Sequence, residues 1–341
     1  MADPRFFEPL GPLPLTQIAA LSSAAILHPD AASLHVTHVA PLDEAAAGVL
    51  VYAEKLDALR SAPDGALTSA FVLCSEEAAP RVAELGGVAL VCKRPRASFA
   101  LSAGALYRKK SLHAGPPIHD TARIDASAQV CAHVAIGEGA QIGADVVIEP
   151  GAVIGPGVSI GARTRIGPNV TIYCASIGQD CNILAGAVIG ESGFGIAVSE
   201  RGAIEVPHLG GVRLGDHVTL GAHSTVDRSV FGDTLISHGC RFDNHCHVGH
   251  NCTIGENFMM AAFGGISGSV TIGKNVACGG RVGIADHLKI GDGAQLAAGC
   301  AIMRDIPAGE TWGGTPGQPL RDWMKEVSAV RRLAKNRGKR S

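Results

Sequence analysis

An aliphatic residue recurs every six positions through most of this 341-residue chain. The rungs run Ile118, Ile124, Val130, Ile136, Ile142, Ile148, Ile154, Ile160, Ile166 and Ile172, then Ile177, Ile183 and Ile189, then Leu214, Leu220 and Val226. A last series extends from Val230 through Ile236, Phe242, Val248, Ile254, Met260, Ile266, Ile272, Cys278, Ile284, Ile290 and Leu296 to Ile302. An α-helix returns to one side every 3.6 residues and a strand every two, so neither holds this stripe on one face. A solenoid does. Each six-residue unit is a short strand and a turn, and three units close one coil with the aliphatic residue inside. Residues 118–302 supply roughly ten coils, stacked about 4.8 Å apart like neighbouring strands.

The residue after the rung is often glycine, as at Gly137, Gly161, Gly255 and Gly291, which suggests corners with backbone angles that side chains avoid. The stripe breaks three times. One residue is missing between Ile172 and Ile177, a long gap spans Glu191 to Arg213, and a slip of four separates Val226 from Val230. Insertions in a solenoid emerge as surface loops, often where ligands bind.

The flanks have another texture. Thr16–Leu21 reads as a short capped helix. Residues 48–52, 71–74 and 88–92 read as strands, each ahead of a helical segment, giving a small α/β domain over 1–114. The solenoid follows over 115–315, starting at Gly115-Pro116-Pro117. In 316–341, Leu320, Trp323, Met324, Val327 and Val330 form one helical face, suited to capping the last coil or meeting a neighbouring subunit. A basic tail ends the chain.

Net charge is −2, which argues against a general nucleic-acid role. No apolar run reaches membrane-spanning length, and the start shows no signal-peptide pattern, so a cytoplasmic protein is expected. Of ten cysteines, Cys240, Cys246 and Cys252 sit six apart without a Cys-x-x-Cys pair. They read as small core or corner residues in a reducing compartment.

Histidines concentrate in residues 238–250, and His287 stands alone further on. All occupy non-core repeat positions. His250 and His287 are two coils plus one residue apart, which puts them near one edge, about 10 Å apart along the axis. An imidazole suits proton abstraction from an attacking amine or hydroxyl, with N–H donors for the oxyanion. No Gly-x-Ser-x-Gly elbow supplies a covalent nucleophile.

The words Phe242-Asp243-Asn244, Val248-Gly249-His250-Asn251, Ile266-Ser267-Gly268-Ser269 and Gly279-Gly280-Arg281-Val282-Gly283-Ile284 resemble the UDP-3-O-acylglucosamine N-acyltransferases of lipid A biosynthesis. So do Gly193-Phe194-Gly195, Val206-Pro207, Thr225-Val226-Asp227-Arg228 and Met303-Arg304-Asp305-Ile306-Pro307-Ala308-Gly309. The resemblance implies a mainly β, left-handed parallel β-helix with an N-terminal α/β domain, assembled as a homotrimer with sites between rods. It implies transfer of a 3-hydroxyacyl chain from acyl carrier protein to the 2-amine of a UDP-3-O-acylglucosamine-type sugar. His250 would be the general base, Asp243 its supporting carboxylate and His287 the second active-site histidine. Phe194, Asn251, Gly268 and Met303 would contact substrates, Asn251 and Gly268 along the phosphopantetheine path and Met303 in the acyl groove. No resident cofactor is implied, because phosphopantetheine arrives on the carrier. The carrier is acidic, which makes Arg304, Arg331, Arg332 and Lys335 its docking candidates.

The chain departs from the family pattern in places. Leu50, Ala53 and Leu56 stand where the family has a Phe-x-x-Asn-x-x-Tyr uracil grip. Phe263 stands where a glutamine is common, and Asp286, Ser229 and Gly211 are further departures. These differences suit a paralogue with another nucleotide amino sugar, or a binding protein without turnover. A metalloenzyme is a third alternative. His245 and His250 have a His-x4-His spacing similar to that of carbonic anhydrases built on such coils, with His208 upstream.

Overall fold

The structure, a computed structural model, describes residues 2–112, 116–200, 202–314 and 317–337, without the side chains of Pro29 and 335–337. The stripe closes into a three-sided parallel β-helix. Among the described residues the three faces hold nine, ten and nine strands, the first running from Arg123–Ile124 to Lys289–Ile290. The second runs from Gln129–Val130 to Thr311–Trp312. The third runs from Ala135–Ile136 to Ala301–Ile302. Residues one coil apart pair in parallel, as in Gln141 with Ser159 and Thr253 with Thr271. The aliphatic rungs from Ile136 to Ile302 form one continuous buried column, apart from Val230. Cys240, Cys246 and Cys252 sit at inward corner positions, where the Cys240 and Cys252 thiols donate to carbonyls of the next coil. Burial pushes the Cys240 and Cys252 thiols up to about 11, so they stay protonated.

Two expectations are corrected. Apart from Gly190 (φ 86°), the glycine after a rung does not supply the unusual backbone angle. The positive-φ corner lies further on and is held by side-chain-bearing residues such as Asn251 (φ 62°) and His287 (φ 59°). The glycine is there because coils approach closely: a Cβ on Gly255 would lie 2.6 Å from the Gly273 carbonyl carbon. Val230 is not a rung either. Val226 on the third face is followed by Ile236 on the first, and the four extra residues form a loop.

All three breaks fall at one corner, where the chain passes from the third face to the first. There the N-terminal domain docks. Its five-stranded sheet has the order 25–26, 88–91, 71–74, 49–53, 38–39, parallel except for the first strand. Helices α1 (Leu15–Ser22) and α4 (Pro95–Leu106) cover one side; α2 (Asp57–Arg60) and α3 (Ala79–Glu84) cover the other. Helix α1 starts after Pro14 with no side-chain cap, unlike the capped helix expected. Cys174, Leu209 and Phe231, one from each break, join the apolar cluster of Phe6, Phe7 and Phe99. Ala97 and Ala100 of α4 pack on Ala197 and Val206 of the long insertion, whose strands Ile196–Ser199 and Gly202–Glu205 form an antiparallel hairpin. The expected domain boundaries at 114/115 and 315/316 fall on residues outside the described set. Helix α5 (Leu320–Arg337) leaves Leu320, Met324 and Val330 exposed, so within one chain it does not cap the last coil.

Close approach and open surface make opposite predictions. Gly255→Ala should cost about 1–3 kcal/mol through overpacking. Gly265→Ala, whose added Cβ meets nothing within 4 Å, should stay within about 0.5 kcal/mol. Thermal unfolding of both variants tests this; equal losses would refute the close-packing role.

Candidate active site

A cavity of about 750 Å³ opens along the third face and the broken corner. Its floor is nearly bare: Gly265, Gly283 and Ala301 take successive outward positions on that face. His250, Gly268, His287 and Met303 line it from the corner, Phe194 from the insertion, and Arg96 from α4.

Local bonding fixes the form of His250. The Asn251 side-chain oxygen accepts the Val230 N–H at 3.2 Å and lies 2.8 Å from His250 Nδ1. A backbone N–H can only donate, so the atom facing it is the amide oxygen, and Nδ1 must carry the ring proton. In the neutral ring the lone pair is then on Nε2. It stands against Gly268, where an added Cβ would come within 2.8 Å of it. That missing side chain makes room for the imidazole. Asn251 therefore acts on the base, and does not line the cavity as expected.

The nearby carboxylate is Asp227, not Asp243. Asp243 lies on the second–third corner, exposed, accepting the N–H of Asn244 at 2.7 Å. Asp227 lines the cavity and is largely buried, 3.7 Å from His247 Nε2. Burial pushes its pKa up to about 6, against the opposing pull of His250 and Arg228. Arg228 is itself buried and donates to the carbonyls of His208 and Gly190 (both 2.8 Å) and to Ser192 Oγ (2.6 Å). It thereby ties the two longer breaks together.

His208 packs edge-to-face on His250, ring centroids 4.9 Å apart. Among the described residues neither of its ring nitrogens makes a hydrogen bond of normal geometry, although the Val206 backbone approaches. Burial pushes its pKa down to about 4, so it is neutral at physiological pH and serves as a wall.

The histidine cluster of the sequence is not a cluster in space. His238 meets His217 on the first–second corner. His245 is stacked between His223 and Phe263 on the second–third corner. His247 bonds Thr225 on the third face, and only His250 reaches the broken corner. His245 and His250 are thus on different corners, and no group of three or more metal-ligating side chains occurs among the described residues. His287 is exposed beside Asp286 (4.0 Å) on the same corner as His250. Arg304 lies outside the cavity, its guanidinium over Trp312 at 5.1 Å. Arg331 and Arg332 are exposed on α5, and the Lys335 side chain is outside the described residues. Leu50 and Ala53 are buried in the N-terminal core, and Leu56 packs against it.

Sequence reasoning missed Asp227, although it directly follows the rung Val226 at the start of the four-residue slip. It also missed Arg96, which has no signal because its neighbours come from a distant part of the chain.

The coils themselves match hexapeptide transferases. Residues 139–174 match the family described as bacterial transferase hexapeptide (six repeats), and residues 269–304 match the hexapeptide repeat of succinyl-transferase. The chain is 51% identical to the UDP-3-O-acylglucosamine N-acyltransferase of Maricaulis maris, covering 99% of this chain and 98% of that one. It is 44% identical to the enzyme of the same name from Caulobacter sp. (strain K31), with coverage of 99% and 98%. Among solved structures it is similar to the UDP-N-acetylglucosamine O-acyltransferase of Moraxella catarrhalis, at 25% identity, TM-score 0.45, over 62% of this chain and 78% of that one. The chain belongs to the UDP-3-O-acylglucosamine N-acyltransferase family.

Asp227 gives a signed pH prediction. Its carboxyl takes up a proton as pH falls through about 6, removing a negative charge beside His250. Transfer should decline below that pH, and Asp227→Asn should lower kcat about 10- to 100-fold and remove that part of the acid limb. An Asp227→Asn profile identical to the parent would refute the role.

Proposed function

We propose that this protein moves a 3-hydroxyacyl chain from acyl carrier protein to the 2-amine of a UDP-3-O-acylglucosamine-type sugar in lipid A biosynthesis. The observation that carries this reading is the 2.8 Å contact of His250 Nδ1 with the Asn251 side-chain oxygen in the cleft: it calls for a proton on Nδ1, so that in the neutral ring Nε2 is the base. As the amine nitrogen attacks the thioester carbonyl carbon, Nε2 takes its proton. The tetrahedral intermediate then collapses, the C–S bond breaks, and the proton passes to the departing thiolate. Asp227 stabilises the imidazolium that forms between these steps. The Gly268 N–H, which no backbone carbonyl takes up among the described residues, is the available donor to the oxyanion. His287 assists at substrate or oxyanion from two coils away. Met303, 77% exposed at the far end of the cavity, is suited to touch the acyl chain, and Phe194 to cover the sugar.

The donor needs no resident cofactor, since phosphopantetheine comes with the carrier and enters along the Gly265–Gly283 floor. The exposed Arg304, Arg331 and Arg332, with Lys335, offer the acidic carrier a docking surface. The uncovered apolar face of α5 supports a homotrimer. No helix among the described residues is long and apolar enough to cross a membrane, and a cytoplasmic location fits substrates that are made there.

His250→Ala should abolish transfer while circular dichroism and thermal unfolding stay as in the parent. Parent-like transfer by that variant would refute the base assignment. Neutralising Arg331, Arg332 and Lys335 together should raise KM for the carrier, most at low salt. An unchanged salt dependence would exclude docking there.

A further inference from the structure

Three cations enter α4 within four residues: Lys93, Arg94 and Arg96. Two are answered locally. Lys93 Nζ lies 3.7 Å from Glu200, and Arg94 donates to the Val198 carbonyl at 3.2 Å. Arg96 has no hydrogen bond or ion pair among the described residues, yet it is half-buried and lines the same cavity as His250. In its own domain its charge acts on the Tyr52 phenol, favouring the ionised form that burial opposes. A guanidinium partly withdrawn from water with no counter-ion is costly unless an anion completes it. The helix start cannot swing away to find one, because Ala97 and Ala100 are buried against the insertion hairpin.

The cavity has two ends. Met303 follows the last third-face strand at one; at the other, Phe194 follows the insertion strand that pairs with Asp227–Arg228, and Arg96 stands on α4, which packs on that insertion. The third-face strands from Thr225 through His247, Gly265 and Gly283 to Ala301 span four coil steps, or about 19 Å. That length accommodates a diphosphate at one end and an acyl chain at the other, with the amine at His250 between them. Arginine presents a planar fork that meets two phosphate oxygens at once.

We propose that Arg96 is the anion clamp for the acceptor, holding the diphosphate of the nucleotide sugar at the N-terminal-domain end of the cleft. This rests on the acceptor class proposed above. A phosphate group could also reach Arg96 from the donor's pantetheine arm, and separate measurements on the two substrates distinguish the sources.

The test compares wild type, Arg96→Ala and Arg96→Lys in two experiments. In steady-state transfer, Arg96→Ala should raise KM for UDP-3-O-acylglucosamine about 10- to 100-fold, the loss expected for a bidentate charged contact. Its kcat and its KM for the carrier should change less than about twofold, and Arg96→Lys should recover part of the loss. Calorimetric titration with UDP alone needs no turnover and should show Arg96→Ala weakening binding by a similar factor, with unchanged thermal unfolding. An unaltered sugar KM, a rise confined to the carrier KM, or no UDP binding by the wild-type protein would overturn the clamp. Arg96-dependent UDP binding without any acyl transfer would uphold the clamp and reject the proposed reaction instead.

Discussion

Hydrogen bonds between successive coils hold the rest of the structure in place. Each strand contributes only two or so residues to a face, so no strand is stable alone. Stability accumulates because every coil pairs with the one above and below and buries its rung in a shared column. Such stacking tolerates little variation. Where Gly255 faces Gly273 there is no room for a methyl group.

Against that regularity, the three breaks at the third–first corner have a clear structural use. They lift chain out of the prism at one edge only, and Cys174, Leu209 and Phe231 become the surface on which the N-terminal domain rests. The same loops deliver Asp227, Arg228 and His208 around His250. The cleft exists because irregular chain at the corner faces a stripped floor of glycine and alanine. Its polar groups are graded along its length, with Arg96 at one end, the imidazoles in the middle and apolar Met303 at the other. That gradient matches an acceptor with a charged head and a donor with a long apolar tail.

His250 shows how positioning works here. Its own ring makes one committed contact, to Asn251, and that oxygen is oriented by the Val230 N–H of the displaced loop. The slip of four residues that interrupts the repeat therefore sets which nitrogen of the histidine is basic. Buried neutral His208 fixes the ring from the side without competing for its proton.

The six-residue stripe was enough to determine the coil, the faces and the inward column, because a period of six has one way to bury itself. The spacing of His250 and His287, two coils plus one residue, also put them on one edge, while Gly268 and Met303 were marked only by the family resemblance; all four line the same cavity. The supporting carboxylate was not. Asp243 and Asp227 both lie near His250 in sequence, and only the corner occupied by each separates them. The histidine-rich segment misled for the same reason: a prism sends neighbours five residues apart to different edges. Arg96 was beyond sequence reasoning, because its place in the cleft depends on how α4 of the N-terminal domain seats on the insertion, a contact between segments about 100 residues apart that no periodicity encodes.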